Sequence, residues 1–258
     1  MQMTYVMNER KYAENILNSN GYGEEKSGLN TTAILAKYYV SLGYSNKEIK
    51  TILSTLIKER VPKVSDSTVW YWINKGMRYC REKPLYEIDE ISVSKAEMDR
   101  IRQIHSTRFK DERIQKLAFT LLCLAKFAKE RGIKDYWVNS SYKEIFSIAN
   151  IRGQTVEKQC LFLNELYCSG YIQISPKIKS QSIRVLGAID GETEISVPDI
   201  NEAGLIYEQY FGKKFVRCNN CGKMIAITNG RNTYCLECAE ERNREKTRER
   251  MRELGIVP

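Results

Sequence analysis

The sequence contains few of the residues and motifs on which enzymes commonly depend. It has one histidine, His105, in 258 residues, so a Ser-His-Asp or Cys-His site would have to use it. The patterns GxxxxGK[ST], HExxH and GxSxG, typical of a phosphate-binding loop, a zinc protease and a serine hydrolase, do not occur. No spacing of carboxylates indicates a two-metal nuclease site. We therefore expect that the protein is not an enzyme.

Long apolar runs are also missing. The longest mostly apolar stretch, residues 117–125, is far shorter than the about 20 residues that span a bilayer. Residues 1–4 lack the basic and then apolar pattern of a signal peptide. Unpaired cysteines fit a reducing compartment. We therefore predict a cytoplasmic protein that does not enter a membrane.

The charge that is present is mostly positive. The net charge is +9 and the isoelectric point is near 9.0, which favours a polyanionic partner such as nucleic acid or an acidic protein. Residues 211–258 hold eleven Lys/Arg and six Asp/Glu, and residues 111–186 hold twelve and seven, so each segment carries +5. The rest of the chain is nearly balanced.

Four cysteines near the C-terminal end form two CxxC pairs with thirteen residues between them: Cys218, Cys221, Cys235 and Cys238. This spacing is typical of a four-cysteine metal site, because Zn²⁺ takes four tetrahedral ligands and favours thiolates in closed sites. Two disulfides, four unused thiols and a CxxC redox site are the alternatives.

The residues around the cysteines favour the metal site. Residues 224–228 predict a strand, Asn229-Gly230 a tight hairpin turn, and residues 231–234 a returning strand. A strongly helix-forming segment follows over residues 239–254.

This order of knuckle, hairpin and ligand-bearing helix resembles a treble-clef zinc finger over about residues 215–254. A zinc ribbon is similar but places the second cysteine pair on a second knuckle. The resemblance implies one structural Zn²⁺ ion, without which the segment would unfold.

Residues 1–90 predict a small helical unit. Gly43 separates one helix from another that begins with a capping box at residues 45–48, and Asp66 or Ser67 caps a third. The arrangement resembles a helix-turn-helix, although any three-helix bundle has the same pattern. The Trp-Tyr-Trp cluster at residues 70–72 predicts core or interface, and a capping box at residues 94–97 begins a linker helix within residues 91–110.

Residues 111–212 give the clearest fold pattern. The predicted elements are a helix ending at Gly132, a strand at 137–138, a helix from the capping box at 141–144, a helix over 155–168, and strands over 171–174 and 182–186. This order resembles a winged helix-turn-helix over about residues 111–190. We expect the helix over 155–168 to bury Val156, Cys160, Leu163 and Tyr167. Asp190-Gly191 predicts a further hairpin, and Asp199 caps a following helix.

The resemblance implies that the helix over 155–168 reads base edges in the major groove. Arg can read guanine and Gln can read adenine with paired hydrogen bonds. Glu157 and Glu165 on the same helix would oppose DNA, and the last helix has the alternative of a solvated helix with ion pairs such as Glu240–Arg244. The candidate nucleic-acid contacts are Arg152, Gln154, Thr155, Lys158 and Gln159, then Lys177 and Lys179 in the wing, and Arg217, Lys223, Arg231, Arg242, Lys246 and Arg250 in the zinc segment.

These observations predict a mainly α-helical, multidomain protein with residues 213–258 as the zinc finger. The combination resembles the DNA-binding regulators and replication accessory proteins of phages and mobile elements of Gram-positive bacteria. It implies duplex DNA binding in transcriptional control or replication initiation. The alternatives are an adaptor that docks on a polymerase, replication or host defence complex, and RNA binding. A second copy of the chain is a further partner that the sequence leaves open.

Overall fold

The computed structural model describes residues 5–19, 21–22, 28–176, 181–227 and 233–253. Within them the chain forms ten α-helices and seven short strands, so it is mainly helical, as predicted. Backbone contacts divide it into two compact units. The first is essentially residues 3–91 with 129–133, and the second is residues 92–128 with 134–258.

The first unit contains four helices, which are α1 Glu9–Asn18, α2 Gly28–Ser41, α3 Asn46–Arg60 and α4 Asp66–Glu82. The predicted capping box begins α3: Ser45 Oγ accepts from the Glu48 backbone N–H at 3.4 Å, and Glu48 accepts from the Ser45 N–H at 2.8 Å. α4 begins one or two residues earlier than predicted, because Ser65 caps it rather than Asp66 or Ser67.

Apolar side chains from α2, α3 and α4 form the core of this unit. Leu35, Ile49 and Leu53 are fully buried, and Trp72 packs among them. The predicted Trp-Tyr-Trp cluster is divided, because Trp72 is 6% exposed whereas Trp70 is 70% exposed. Consecutive residues of a helix point about 100° apart, so the three aromatic rings cannot share one face.

A buried ion pair joins α1 to α2. Lys37 Nζ lies 2.9 Å from both carboxylate oxygens of Glu9, and Glu9 also accepts from the Tyr86 backbone N–H at 3.0 Å. The two charged side chains are only 6% and 5% exposed.

The second unit begins with β1 Ile91–Ser94 and α5 Lys95–Arg102, and the predicted capping box at residues 94–97 is confirmed. β1 pairs with β5 Thr193–Val197, and Met98 and Ile101 of α5 are fully buried. The segment predicted as a linker helix is therefore packed within this unit. The hairpin predicted at Asp190-Gly191 is wrong, because the partner of β5 is β1 and not the preceding strand.

The centre of the second unit follows the predicted order of elements. It contains α6 Asp111–Glu130, β2 Trp137–Val138, α7 Tyr142–Ile148, α8 Val156–Cys168, β3 Ile172–Ile174 and β4 Ile183–Val185. The three strands form an antiparallel sheet in the order β2-β4-β3, in which Arg184 lies opposite both Trp137 and Gln173. Ser141 and Glu144 form the predicted capping box of α7.

Of the four residues predicted to be buried on α8, Leu163 is confirmed, whereas Val156, Cys160 and Tyr167 are exposed. The buried residues of this helix are Phe162, Leu163 and Leu166, whereas Val156 is 67% and Tyr167 is 52% exposed. Apolar residues lie on two faces of this helix, so periodicity alone did not fix its phase. Stacking of Phe162 on Phe109, with ring centroids 3.7 Å apart, anchors the buried face.

The chain continues through a short 3₁₀ turn, which Asp199 caps as predicted, into α9 Ala203–Tyr210. It then forms β6 Phe215–Arg217, β7 Met224–Ala226 and α10 Leu236–Glu253. β7 pairs with β6, and residues 233 and 234 of the predicted returning strand are not in a strand. Residues 228–232, which include the predicted Asn229-Gly230 turn, lie outside the described residues. No helix among the described residues is long and apolar enough to cross a membrane.

Candidate metal centre and nucleic-acid interface

The four cysteines of the two CxxC pairs come together in one cluster. Their Sγ atoms all lie within 4.8 Å of one another. Cys218 follows the end of β6, Cys221 lies in the turn before β7, Cys235 precedes α10, and Cys238 is in its first turn. Cys221 is exposed and the other three are buried.

Backbone and side-chain donors surround the sulfurs. The Cys235 backbone N–H donates to Cys218 Sγ at 3.3 Å, and the Asn220 amide donates to Cys238 Sγ at 3.5 Å. The backbone N–H groups of Cys221 and Cys235 lower the pKa of the Cys218 thiol to about 6. For Cys238 the Asn220 amide favours the thiolate, but the sulfurs of Cys235 and its neighbours raise the pKa. Without a cation, ionisation of one thiol therefore opposes ionisation of the next.

The spacing of the sulfurs is compatible with one metal ion. Metal–sulfur bonds of about 2.3 Å in a tetrahedron place sulfurs about 3.8 Å apart, and Cys221 Sγ lies 3.6 Å from Cys235 Sγ. A disulfide would require about 2.05 Å, and all eight cysteines, which lie among the described residues, are free thiols. The four thiolates can hold one metal ion, and such sulfur sets are typical of zinc or iron.

A buried carboxylate fixes the β6–β7 hairpin that carries the first pair. Glu202, which is 8% exposed, accepts from Arg217 Nη1 at 2.7 and 2.6 Å and from the Met224 backbone N–H at 3.0 Å. Lys223 pairs with Glu237 at 2.5 Å. Two of the predicted nucleic-acid contacts, Arg217 and Lys223, are therefore already paired with carboxylates, although both side chains remain more than half exposed. Arg231 lies outside the described residues.

The remaining contacts predicted for this segment lie on α10. Its residues 240–253 are all exposed. The Arg242 guanidinium lies over the Tyr234 ring, 4.7 Å from its centroid. Lys246 and Arg250 follow Arg242 at intervals of four residues, so the three lie along one side of the helix.

The residues predicted at the start of α8 lie together. Thr155 caps the helix by accepting from the Lys158 N–H at 3.4 Å. The amides of Gln154 and Gln159 donate to backbone carbonyls of residues 152 and 154, at 2.8 and 3.4 Å. Arg152 and Lys158 are exposed. The wing residues Lys177 and Lys179 lie outside the described residues.

One of the two opposing carboxylates on α8 is neutralised. Glu165 lies 3.4 Å from Arg108 Nε and accepts from Ser106 Oγ at 3.0 Å. Glu157 stays exposed, and its own backbone N–H and Thr155 lower its pKa, so it remains charged. His105 is 75% exposed and lies 2.7 Å from Asp111, as expected for a surface side chain.

Two surface features were not singled out from the sequence. α8 exposes Val156, Leu161 and Tyr167, which the periodicity had assigned in part to the core. α10 carries a second row of basic residues, Arg244, Arg248 and Arg252, which the spacing of four residues would have revealed.

No protein-family model matches the chain, and no curated protein or solved structure matches it significantly.

Proposed function

We propose that this protein binds duplex DNA and that residues 111–185 act as a winged helix. The order of helix, strand, helix, helix and β-hairpin, with the sheet order β2-β4-β3, supports the proposal. In that architecture α8 is the helix that enters the major groove, and its first turn meets base edges.

The main observation in support of this proposal is the exposure of α8. Only Phe162, Leu163 and Leu166 of its 13 residues are buried, so the helix stands out from the core along most of its length. Lys158 in its first turn and Arg152 in the segment before it are exposed to solvent. With Glu165 neutralised by Arg108, Glu157 is the one carboxylate of α8 that would oppose a phosphate.

The cysteine cluster supports a structural role for the C-terminal module. We propose that the ion is Zn²⁺, held by Cys218, Cys221, Cys235 and Cys238 in a treble-clef arrangement. Four thiolates fill the coordination sphere and leave no open position for a substrate, as in closed structural sites. Bound zinc would supply folding energy rather than catalysis.

A protein partner is the second candidate, favoured by the apolar residues that α8 exposes. Val156, Leu161 and Tyr167 are 67%, 39% and 52% exposed, and exposed apolar groups on one element indicate an interaction site. An adaptor that docks on a transcription or replication complex would use this surface. Its binding would depend little on salt, whereas contacts with phosphates weaken steeply as salt rises.

A gel-shift titration of the zinc-loaded protein tests the proposal. Mixed-sequence duplex DNA and single-stranded RNA are compared at two salt concentrations. We expect micromolar or tighter duplex binding that weakens sharply with salt, and weaker RNA binding. No binding to either nucleic acid would reject DNA binding in favour of the protein partner, and preference for the single strand would favour RNA.

A double variant locates the contact. Lys158→Ala together with Lys179→Ala should weaken duplex binding and lower the log–log salt slope by about 2, because each lost phosphate contact contributes about 0.9. Lys95→Ala, at an exposed lysine of α5, is the matched control and should leave both unchanged. An unchanged slope in the double variant would reject α8 and its hairpin as the binding surface.

A further inference from the structure

The last helix contains a short internal repeat. Residues 241–253 read ERNREKTRERMRE. Three consecutive units have the form Glu, basic residue, neutral residue, Arg, and a final Glu follows them. The four positions of the unit therefore differ systematically in charge.

The repeat becomes four rows on the helix. Residues four apart lie about 40° and about 6 Å from each other, so each position of the unit forms its own row. The neutral row is Asn243, Thr247 and Met251. Within one unit, a basic residue lies about 100° to each side of the neutral residue and the glutamate lies on the opposite side of the helix. Because each step of four residues adds about 40°, every row winds round the helix by about 80° from its first to its third residue. The rows are acidic Glu241, Glu245, Glu249 and Glu253, then basic Arg242, Lys246 and Arg250, and basic Arg244, Arg248 and Arg252.

These rows are exposed, and few of their charges are paired. All residues from 240 to 253 are exposed. Within residues 236–253, all of which are described, the ion pair that the helix makes with itself is Glu240–Arg244 at 3.8 Å. The later cations, Lys246, Arg248, Arg250 and Arg252, form no ion pair with a described residue. Their charges are therefore available to an external anion.

The spacing is not the one that best stabilises an isolated helix. Such a helix gains most from opposite charges four residues apart, with Glu before Lys or Arg. Within residues 241–253 all seven charged pairs at this spacing are of like sign, and the six opposite-sign pairs three residues apart roughly offset them, so the pattern gives the isolated helix little net stability. The rows are therefore better explained by a partner than by the stability of α10 itself.

We propose that α10 lies in the major groove of B-form DNA, with its neutral row toward the base edges and its two basic rows toward the phosphates of the two strands. This inference rests on the proposed DNA-binding function and adds a second groove contact to that of α8. A groove about 12 Å wide admits a helix of about 10–12 Å diameter. With Thr247, the middle of the neutral row, toward the base edges, Glu245 and Glu249 lie on the far side of the helix and face solvent.

The groove geometry selects the kind of duplex. The major groove of A-form RNA is deep and narrow, and side chains cannot read it. A helix that needs phosphates on both sides therefore fits DNA and not double-stranded RNA. The cysteine cluster supports groove binding by α10. Cys235 and Cys238 lie at the start of the helix and belong to the cluster, so a bound metal ion would fix the orientation of the helix relative to the β6–β7 hairpin.

Two matched variants of the full zinc-loaded chain test the inference. The basic variant carries Lys246→Gln, Arg248→Gln, Arg250→Gln and Arg252→Gln, and the acidic variant carries Glu245→Gln and Glu249→Gln. Both keep good helix-forming residues. Affinity for a 30-base-pair mixed-sequence DNA is measured by fluorescence anisotropy at several salt concentrations, with double-stranded RNA of equal length as competitor.

We expect the basic variant to lose about 100-fold or more in DNA affinity near 0.1 M salt and to lower the salt slope by about 3 to 4, from about 0.9 per lost contact. The acidic variant should bind at least as tightly as the native protein. Double-stranded RNA should compete poorly. Circular dichroism of both variants should match the native protein.

The outcomes separate this inference from the proposed function. If the native chain does not bind duplex DNA, the proposed function fails, and this inference fails with it. If the native chain binds and only the Lys158→Ala, Lys179→Ala variant loses affinity, α10 is not a groove helix and the function stands. Equal losses in the acidic and basic variants, or strong competition by double-stranded RNA, would also overturn the inference.

Discussion

Replacing one cysteine of the cluster should remove the metal and unfold the C-terminal module without unfolding the rest of the chain. In Cys235→Ser the cluster loses the sulfur that lies 3.6 Å from Cys221 Sγ. The Cys238 backbone N–H, which donates to Cys235 Sγ at 3.5 Å, keeps an acceptor in the serine hydroxyl, so the substitution acts through the metal ligand. The serine hydroxyl is a poor replacement, because it ionises far less readily than a thiol.

The size of the effect follows from the small core of the module. Among the described residues of the module, the buried cluster consists of Cys218, Cys235 and Cys238, and the partly buried Ile225 and Tyr234 pack against it. Structural zinc contributes about 10–16 kcal/mol of apparent binding free energy. An equal share for each of four thiolates is about 2.5–4 kcal/mol, so metal affinity should fall about 100- to 1000-fold.

The loss of metal should unwind α10. The helix has 18 residues and buries only Cys238, and a helix of this length without a buried face is marginal in water. Those 18 residues are about 7% of the 258 in the chain. The fraction of the chain's residues that are helical, measured by far-ultraviolet circular dichroism, should therefore fall by about 7 percentage points.

The loss of metal is measured in two ways. Elemental analysis gives the zinc stoichiometry, and competition with a chromophoric chelator gives the zinc affinity. Limited trypsin digestion measures the unwinding of α10, because six Lys/Arg of α10 become accessible as unfolded chain. Cys168→Ser, at an exposed free thiol outside the cluster, is the control and should change none of these. One bound zinc with native affinity and an intact helix in Cys235→Ser would refute the assignment of the ligands.

Two further predictions concern the cores of the two units. Lys37→Met should destabilise the first unit by about 3 kcal/mol, because the buried Glu9 carboxylate loses its close cation and keeps only Arg131, whose Nη2 lies 4.0 Å away. The double variant with Glu9→Gln should recover part of that loss in urea unfolding, and an unchanged midpoint in Lys37→Met would contradict the reasoning. Gly204→Ala should lower the melting temperature of the second unit, since its Cβ would lie 2.4 Å from the Ala149 carbonyl carbon, a clash worth about 1–3 kcal/mol or more. Gly191→Ala, whose Cβ would meet its nearest neighbour at 3.4 Å, is the control, and equal melting temperatures of the two variants would show that α9 can shift at no cost.

The sequence by itself predicted the features that depend on a few neighbouring residues. The capping boxes that begin at Ser45, Ser94 and Ser141 are all present, because each needs only a hydroxyl and a carboxylate three residues apart. The strand at Trp137–Val138 and the extent of α8 were also predicted. The two CxxC pairs predicted that four cysteines come together as a candidate site for one metal ion, because the two residues between paired cysteines let both sulfurs point to the same place.

Only the tertiary structure decided the features that depend on residues far apart in the chain. β5 pairs with β1, about a hundred residues earlier, and a local turn signal at Asp190-Gly191 could not reveal that partner. Which residues of α8 are buried was decided by the surfaces that pack on Phe162.

The tertiary structure also decided which charged side chains form ion pairs. Arg217 and Glu165 acquire partners 15 and 57 residues away, Glu202 and Arg108, so which charges stay available for a partner could not be read from their number. Local propensity acts over one or two turns of chain, whereas burial and ion pairing depend on which distant surfaces meet. The sequence therefore predicted most of the helices, although not α1, and the four cysteines that come together, and the tertiary structure determined which faces and charges remain exposed.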